Sequence, residues 1–369
     1  MEKLNKTKYL PPSLLNEIFV EKGIYSHLEV IGYSVNGKPI YGLKIGNGNK
    51  KVLMWSQMHG NETTSTKSLI DFYDFLINDK IGKYLKTNLT FKIIFQLNPD
   101  GSHTYSRNNL NDCDLNRDAL SLIQPESKVL MKEFNLFKPN FCFNLHGQRS
   151  IYSIGNTNIP ASISFLAPCS SKNKAITKSR LLSMQLITGV CNFLKSKYGQ
   201  VYGRFDDSFN LNCFGDFFSK QKVPTILFEA GHFKNDIFRK FSRKLVFDSL
   251  VEICLLISSE SFKEIDHKRY FKITANNNNL RDILIKNVTI LKNNKIITGQ
   301  EISIQYSEKL VNNEILFLPI IESISSKLDF NSLFVFELSN DKSRNNMLDI
   351  EIGDNAEKFL KKVDLLNNI

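Results

Sequence analysis

The stretch Val52-Leu53-Met54-Trp55-Ser56-Gln57-Met58-His59-Gly60-Asn61-Glu62 runs from a short apolar segment into a polar turn. It predicts a strand over Val52–Ser56 that stops just before a histidine. The pattern then changes period: across Glu62–Asn78, Leu69, Ile70, Phe72, Phe75 and Leu76 recur near every 3.6 residues, as on one face of a helix. The same alternation repeats outward. Strands are expected at Phe91–Leu97, Phe141–Leu145 and Thr225–Phe228. Helices are expected at Glu126–Phe137, behind Pro125, and at Lys172–Lys197 and Phe238–Ser258. Strands alternating with helices predict an α/β sandwich around a largely parallel sheet.

Beyond the four-asparagine run Asn276–Asn279 the pattern becomes short and strand-like. It runs through Ile283, Ile285, Val288 and Ile290, a turn at Asn293-Asn294, Ile296-Ile297, Ile302–Ile304, Phe317 and Phe334–Phe336. Residues 1–264 are therefore expected to form the α/β domain and residues 265–369 a small β-rich C-terminal domain.

The 369 residues, 42% apolar and 23% charged, suffice for a sizeable core and exclude wholesale disorder. No run reaches the ~18–20 apolar residues of a membrane span. Cys113, Cys142, Cys169, Cys191, Cys213 and Cys254 form no Cys-x-x-Cys pair. They read as thiols of a reducing compartment. With no apolar leader at the N-terminus, a cytoplasmic location is expected. The net charge of +11 comes mostly from dispersed lysines, without a basic block interleaved with aromatics. No nucleic-acid partner is expected.

Position carries the chemistry. His59 lies three residues past the first expected strand, and Asn98, His146 and Glu229 directly follow the second, third and fourth. In open α/β sheets ligands bind beyond the carboxyl ends of the strands, so these four residues converge on one crevice. His59-x-x-Glu62 can bring an imidazole and a carboxylate to one metal, and His146 supplies a third ligand, leaving a position open for water. Taken singly, each is equally a solvated helix start or a satisfied strand-end histidine. Asn98-Pro99-Asp100-Gly101 is ordinary turn chemistry, and Arg107, Asn116 and Arg117 can serve as forks for a carboxylate or an oxyanion. Asp114 is placed to orient a ligand imidazole, and Glu229, ending an apolar strand, is costly to bury without a task.

The ordered set His59-Gly-Asn-Glu62, Asn98-Pro-Asp-Gly, Arg107, Asp114-x-Asn116-Arg117, His146 and Glu229 resembles the zinc metallocarboxypeptidases, from about residue 50 to about 235. The resemblance implies a mixed, mostly parallel eight-stranded sheet flanked by helices. It implies one zinc ion on His59, Glu62 and His146, with Glu229 as general base and Arg107 stabilising the oxyanion. Asn116 and Arg117 would hold the free C-terminal carboxylate of a peptide substrate, and Asp114 would hydrogen-bond His59. One departure is visible: no tyrosine stands between Tyr202 and Glu229, where many relatives carry a mobile one. The alternative is a zinc-dependent N-acyl-amino-acid deacylase similar to succinylglutamate desuccinylase or aspartoacylase, which share His-x-x-Glu and Asp-x-Asn-Arg. The Asn98-Pro-Asp-Gly segment and the spacing of Arg107 before Asp114 favour the peptidase.

Overall fold

The computed structural model describes residues 2–292, 295–338, 349–363 and 365. The chain divides into two compact units, one running up to Gln148 and resuming over Ala161–Asn276, the other formed by Arg149–Pro160 and the chain from Asn277. The first unit continues past the division expected at 264/265. Phe262, Tyr270 and Ile273 are buried in its core, and the backbone N–H of Ala167 donates to the Tyr270 hydroxyl (3.1 Å).

In chain order the first nine strands are β1 (Leu28–Tyr33), β2 (Pro39–Ile45), β3 (Lys50–Ser56), β4 (Leu89–Ile94), β5 (Phe141–Gly147), β6 (Tyr152–Ile154), β7 (Ile163–Leu166), β8 (Tyr202–Arg204) and β9 (Thr225–Ala230). All but β6 form one eight-stranded sheet in the order β1-β2-β4-β3-β5-β9-β7-β8. The sheet is mixed: β4/β3, β3/β5, β5/β9 and β7/β8 pair parallel, while β1/β2, β2/β4 and β7/β9 pair antiparallel.

Both faces are covered, which is why the central strands read as unbroken apolar runs. Val52, Met54, Phe143, Leu145, Ile226 and Phe228 pack under helices Thr64–Asn78, Lys178–Tyr198 and Lys240–Ser259. The alternate residues Leu53, Trp55 and Cys142 pack against helices Pro125–Phe137 and Phe214–Lys220 through Leu130, Phe137, Phe214 and Phe218. No helix among the described residues is long and apolar enough to cross a membrane.

Several boundaries differ from the sequence reading. β4 ends at Ile94 because the Phe95 carbonyl accepts from the hydroxyls of Ser56 (2.5 Å) and Thr66 (3.1 Å). The first long helix begins at Thr64, so Glu62 lies in the turn before it, closed by Glu62 N–H to the His59 carbonyl (3.1 Å). β5 and β9 are longer than expected, and His146 and Glu229 are each the penultimate residue of a strand. The helix expected from Lys172 starts at Lys178, where the Thr177 hydroxyl caps it by accepting from Arg180 N–H (3.4 Å).

The second unit is described on its own. β10 (Asn276–Asn278) turns the asparagine run into a strand paired with β6. β11 (Leu280–Lys292), β12 (Lys295–Val311), β13 (Glu314–Ser325) and β14 (Asn331–Glu337) form a sheet in the order β13-β12-β11-β14. The turn expected at Asn293-Asn294 lies outside the described residues. Ile283, Ile285, Ile302, Ile304 and Ile321 pack with Phe359 and Leu360 of a short helix, Glu357–Lys362.

Lys67 is an internal marker of the first unit's stability. Its ammonium is buried and donates to the carbonyl of Thr7. Burial, then the charges of Arg243, Lys8 and Arg239, push its pKa from 10.5 down to about 7. Between those values the unfolded chain holds a proton that the folded chain has released, so this group makes stability rise with pH across that window. Urea midpoints measured from pH 6 to 10 should show Lys67→Met gaining on the wild type near neutrality, with the gap closing as pH rises. Parallel curves would remove Lys67 from this role.

Candidate active site

Three ligand atoms meet at one point. His59 Nδ1 lies 2.8 Å from Glu62 Oε1, His146 Nδ1 lies 2.9 Å from Glu62 Oε2, and the two Nδ1 atoms are 3.0 Å apart. Each side chain is fixed by its element. The Met58–Glu62 turn packs so closely on the following segment that a Cβ on Gly60 would stand 2.0 Å from the carbonyl carbon of Gly101, so only glycine fits there. Glu62 Oε2 also accepts from Gly147 N–H (3.0 Å), and the carbonyl of His146 accepts from the Ser65 hydroxyl (2.9 Å).

The donor chemistry fits a metal. His59 Nε2 faces Asp114 Oδ1 at 3.0 Å. A carboxylate can only accept, so Nε2 carries the proton and Nδ1 turns a lone pair toward Glu62. His146 presents Nδ1 to the same carboxylate, and its buried Nε2 has no hydrogen-bond partner among the described residues. Three lone-pair atoms facing one another repel unless a cation lies between them, and two histidines with one carboxylate is a zinc-type set. His59, Glu62 and His146 are thus the residues that could hold the ion.

Asp114 connects this cluster to the basic residues. Oδ1 accepts from His59 and from Asn116 N–H (2.8 Å), while Oδ2 accepts from Arg107 Nε (3.2 Å) and Nη2 (3.0 Å). Burial would raise its pKa, but the His59 imidazole and the Arg107 guanidinium override it and hold the carboxyl well below the usual range. Arg107 also reaches Glu62 Oε1 through Nη1 (3.3 Å), although 48% of its side chain is exposed. Asn116 and Arg117 lie on a single 3-10 turn, Leu115–Arg117, that Asp114 caps.

Glu229 is placed by strand register. β5 and β9 pair His146 directly with Glu229, and β7 pairs Ser164 with Glu229 from the other side. Direct cross-strand partners share a face, so the carboxylate stands beside the second histidine. Glu229 is buried, and its carboxylate makes no hydrogen bond among the described residues. Burial, then the negative charge of Glu62, push its pKa well above the usual carboxylate range.

Asn98 does not join them. Its oxygen caps helix Pro99–Thr104 by accepting from Gly101 N–H (2.8 Å), and its amide donates to the Met58 carbonyl (3.2 Å). It braces the His59 turn. Gln148 likewise turns inward, donating to the Ala161 carbonyl (2.6 Å) and accepting from Asn276 (3.1 Å). The sequence reading missed Ser65, and it missed the turn at residues 210–214, onto which Asn116 and Arg117 are hydrogen-bonded. Neither carries a motif.

Residues 13–165 match the family model described as zinc carboxypeptidase. Carboxypeptidase SOL1 of Arabidopsis thaliana is 29% identical over 142 residues, 33% of this chain and 29% of that protein. Carboxypeptidase 2 of Trichophyton rubrum is 27% identical over 101 residues, 27% of this chain and 19% of that protein. The chain thus matches less than a third of the length of either relative. In fold it is similar to a metallo-carboxypeptidase from Burkholderia cenocepacia, with TM-score 0.55, 15% identity, and 69% of this chain and 71% of that one covered. It is also similar to bovine thrombin-activatable fibrinolysis inhibitor, solved with tick carboxypeptidase inhibitor, with TM-score 0.52, 16% identity, and 70% and 98% covered. The resemblance read from the motifs is thus met by the family model over residues 13–165, and the eight-stranded sheet is the fold of the metallo-carboxypeptidases.

Zinc titration of metal-stripped protein checks the cluster. His146→Ala should abolish stoichiometric binding, and Asp114→Asn should weaken it by roughly 10- to 100-fold by freeing the His59 imidazole. Undiminished affinity in His146→Ala would place the ion elsewhere.

Proposed function

We propose that this chain is a zinc-dependent carboxypeptidase that hydrolyses the C-terminal peptide bond of peptides ending in a free carboxylate. The observation that carries the reading is the juxtaposition of a convergent His59–Glu62–His146 donor set with a buried Glu229, paired in register with His146, and with a basic clamp linked to His59 through Asp114. Zinc held by the three residues would supply Lewis-acid polarisation of a carbonyl and acidification of water. Glu229 is the group that accepts the proton of the attacking water and returns it to the departing amine, which suits a carboxyl whose proton affinity is raised. Arg107 presents its guanidinium to the charge that develops on the carbonyl oxygen. Asn116 and Arg117, on one turn beyond Asp114, read the terminal carboxylate and so select the last bond.

Two of the similar structures support a carboxylate-reading site. One, from Pseudomonas aeruginosa, was solved with (2-guanidinoethylmercapto)succinic acid, a dicarboxylic acid, and the other with a carboxypeptidase inhibitor. The relatives named above are carboxypeptidases, so the deacylase alternative is not favoured.

A panel of short peptides varying only in the last residue, each with its C-terminal amide, tests the proposal against N-acetyl- and N-succinyl-amino acids. Release of the last residue from free-acid peptides is expected, and turnover of the acylated monomers alone would overturn it. Glu229→Gln should abolish turnover with zinc still bound, and wild-type rates would exclude the base role. Arg117→Ala should raise KM on free-acid peptides with little change in kcat. A loss that extended equally to amidated peptides would argue against the clamp.

A further inference from the structure

We propose that Cys213 is a positioning residue, whose thiol sulfur fixes the guanidinium of Arg117 in the orientation that reads a terminal carboxylate. The inference rests on Arg117 acting as the carboxylate clamp proposed above.

Both N–H groups of Arg117 Nη1 are occupied, one by the carbonyl of Asn116 (2.7 Å) and one by Cys213 Sγ (3.1 Å). A guanidinium carries five N–H groups in one plane. Pinning Nη1 from two directions fixes that plane and leaves the Nε–Nη2 edge to make a two-point contact with a carboxylate. The support beneath is rigid. Phe214 N–H donates to Asn116 Oδ1 (3.0 Å), and Ala119 N–H donates to the Asn212 carbonyl (3.1 Å). The turn itself is closed by Cys213 N–H to the Asn210 carbonyl (2.8 Å) and by Asn210 N–H to Asp216 Oδ2 (2.7 Å). With its oxygen held by Phe214, Asn116 is left with its amide N–H groups for the substrate. The segment that reads the carboxylate is therefore stitched to residues 210–214 at three points, and Cys213 is the only one of them that acts on the guanidinium itself.

The choice of sulfur has a physical sense. A carboxylate at this place would orient Arg117 equally well, but it would compete with the substrate for its charge. A neutral thiol orients without neutralising. Burial pushes the Cys213 thiol up to about 11, against the opposing pull of the Arg117 charge, so it stays protonated at neutral pH. Of the six free cysteines only Cys113 and Cys213 are half-exposed, so Cys213 can be labelled in mildly alkaline solution, where a fraction of this high-pKa thiol ionises.

The test uses the fastest-cleaved free-acid peptide of the panel. Cys213→Ala should raise KM by about 5- to 10-fold with kcat within about twofold, the loss of one weak orienting hydrogen bond. Cys213→Ser, which keeps an acceptor, should recover most of the loss, and Cys213→Asp should raise KM at least as far as Arg117→Ala. Zinc stoichiometry should be unchanged in all of them. If Arg117→Ala raises KM and Cys213→Ala leaves it at the wild-type value, the positioning role falls while the carboxypeptidase reading stands. If neither changes KM, the clamp and the positioning role fall together. Should Cys213→Ala fail to fold, iodoacetamide labelling of wild-type Cys213, mapped by mass spectrometry, decides. The released amino acid should slow labelling and its amide should not, and equal labelling with both overturns the proposal.

Discussion

Asp114 has no idle lone pair. One oxygen takes the Nε2 proton of His59 and the N–H that starts the Asn116–Arg117 turn, and the other takes the Arg107 guanidinium from two nitrogens. A single carboxylate thus decides which nitrogen of His59 is left with a lone pair, where the Asn116–Arg117 turn begins, and where the Arg107 guanidinium rests. Removing its charge would disturb all three at once. That is why the Asp114-x-Asn116-Arg117 spacing is tight: the helical turn supplies the cap, and the cap supplies the histidine's orientation.

The sheet does the remaining work. Parallel pairing of β5 with both β3 and β9 lays the ends of three central strands side by side, so that His146 and Glu229 become neighbours although 82 positions separate them (229 − 146 = 83, less one). Residues one step below on the same face, Trp55, Asn144 and Leu227, follow the same register. His146 and Glu229 therefore rest on packed strands, and their placement is as stiff as the apolar layers beneath them.

What was legible in the sequence followed from patterns of short range. Apolar runs ending in His146 and Glu229 predicted both the strands and the convergence at their carboxyl ends, and the His59/Glu62 spacing predicted a shared ligand site. The β1–β2 hairpin and the short strands β7 and β8 escaped notice because β1 is half-exposed and β7 and β8 hold three or four residues each. Asn98 was misread because a helix cap and a ligand residue look alike in one dimension; only its bonds to Gly101 and Met58 separate them. The turn at residues 210–214 was invisible for a different reason. It meets the Asn116–Arg117 segment through the Phe214 N–H, the Asn212 carbonyl and the Cys213 sulfur, and no residue type announces such contacts.

Two causes lift the proton affinity of Glu229, and they are unlike in kind. Burial is built into the fold. The charge of Glu62 acts only while that carboxylate remains uncompensated. Two imidazoles flank Glu62 and hold its own pKa well below the usual range, so it stays ionised and pulls any cation into the cluster. A cation there would cancel most of the field that Glu62 casts on its neighbour, while the buried setting remained. Arg107 and Arg239 already oppose the shift from the other side. The proton affinity of Glu229 is therefore tied to occupancy of the donor set next to it. On the reading proposed above, with Glu229 as the base, positive charge arriving at the donor set would lower its proton affinity toward that of an ordinary carboxyl without any moving part.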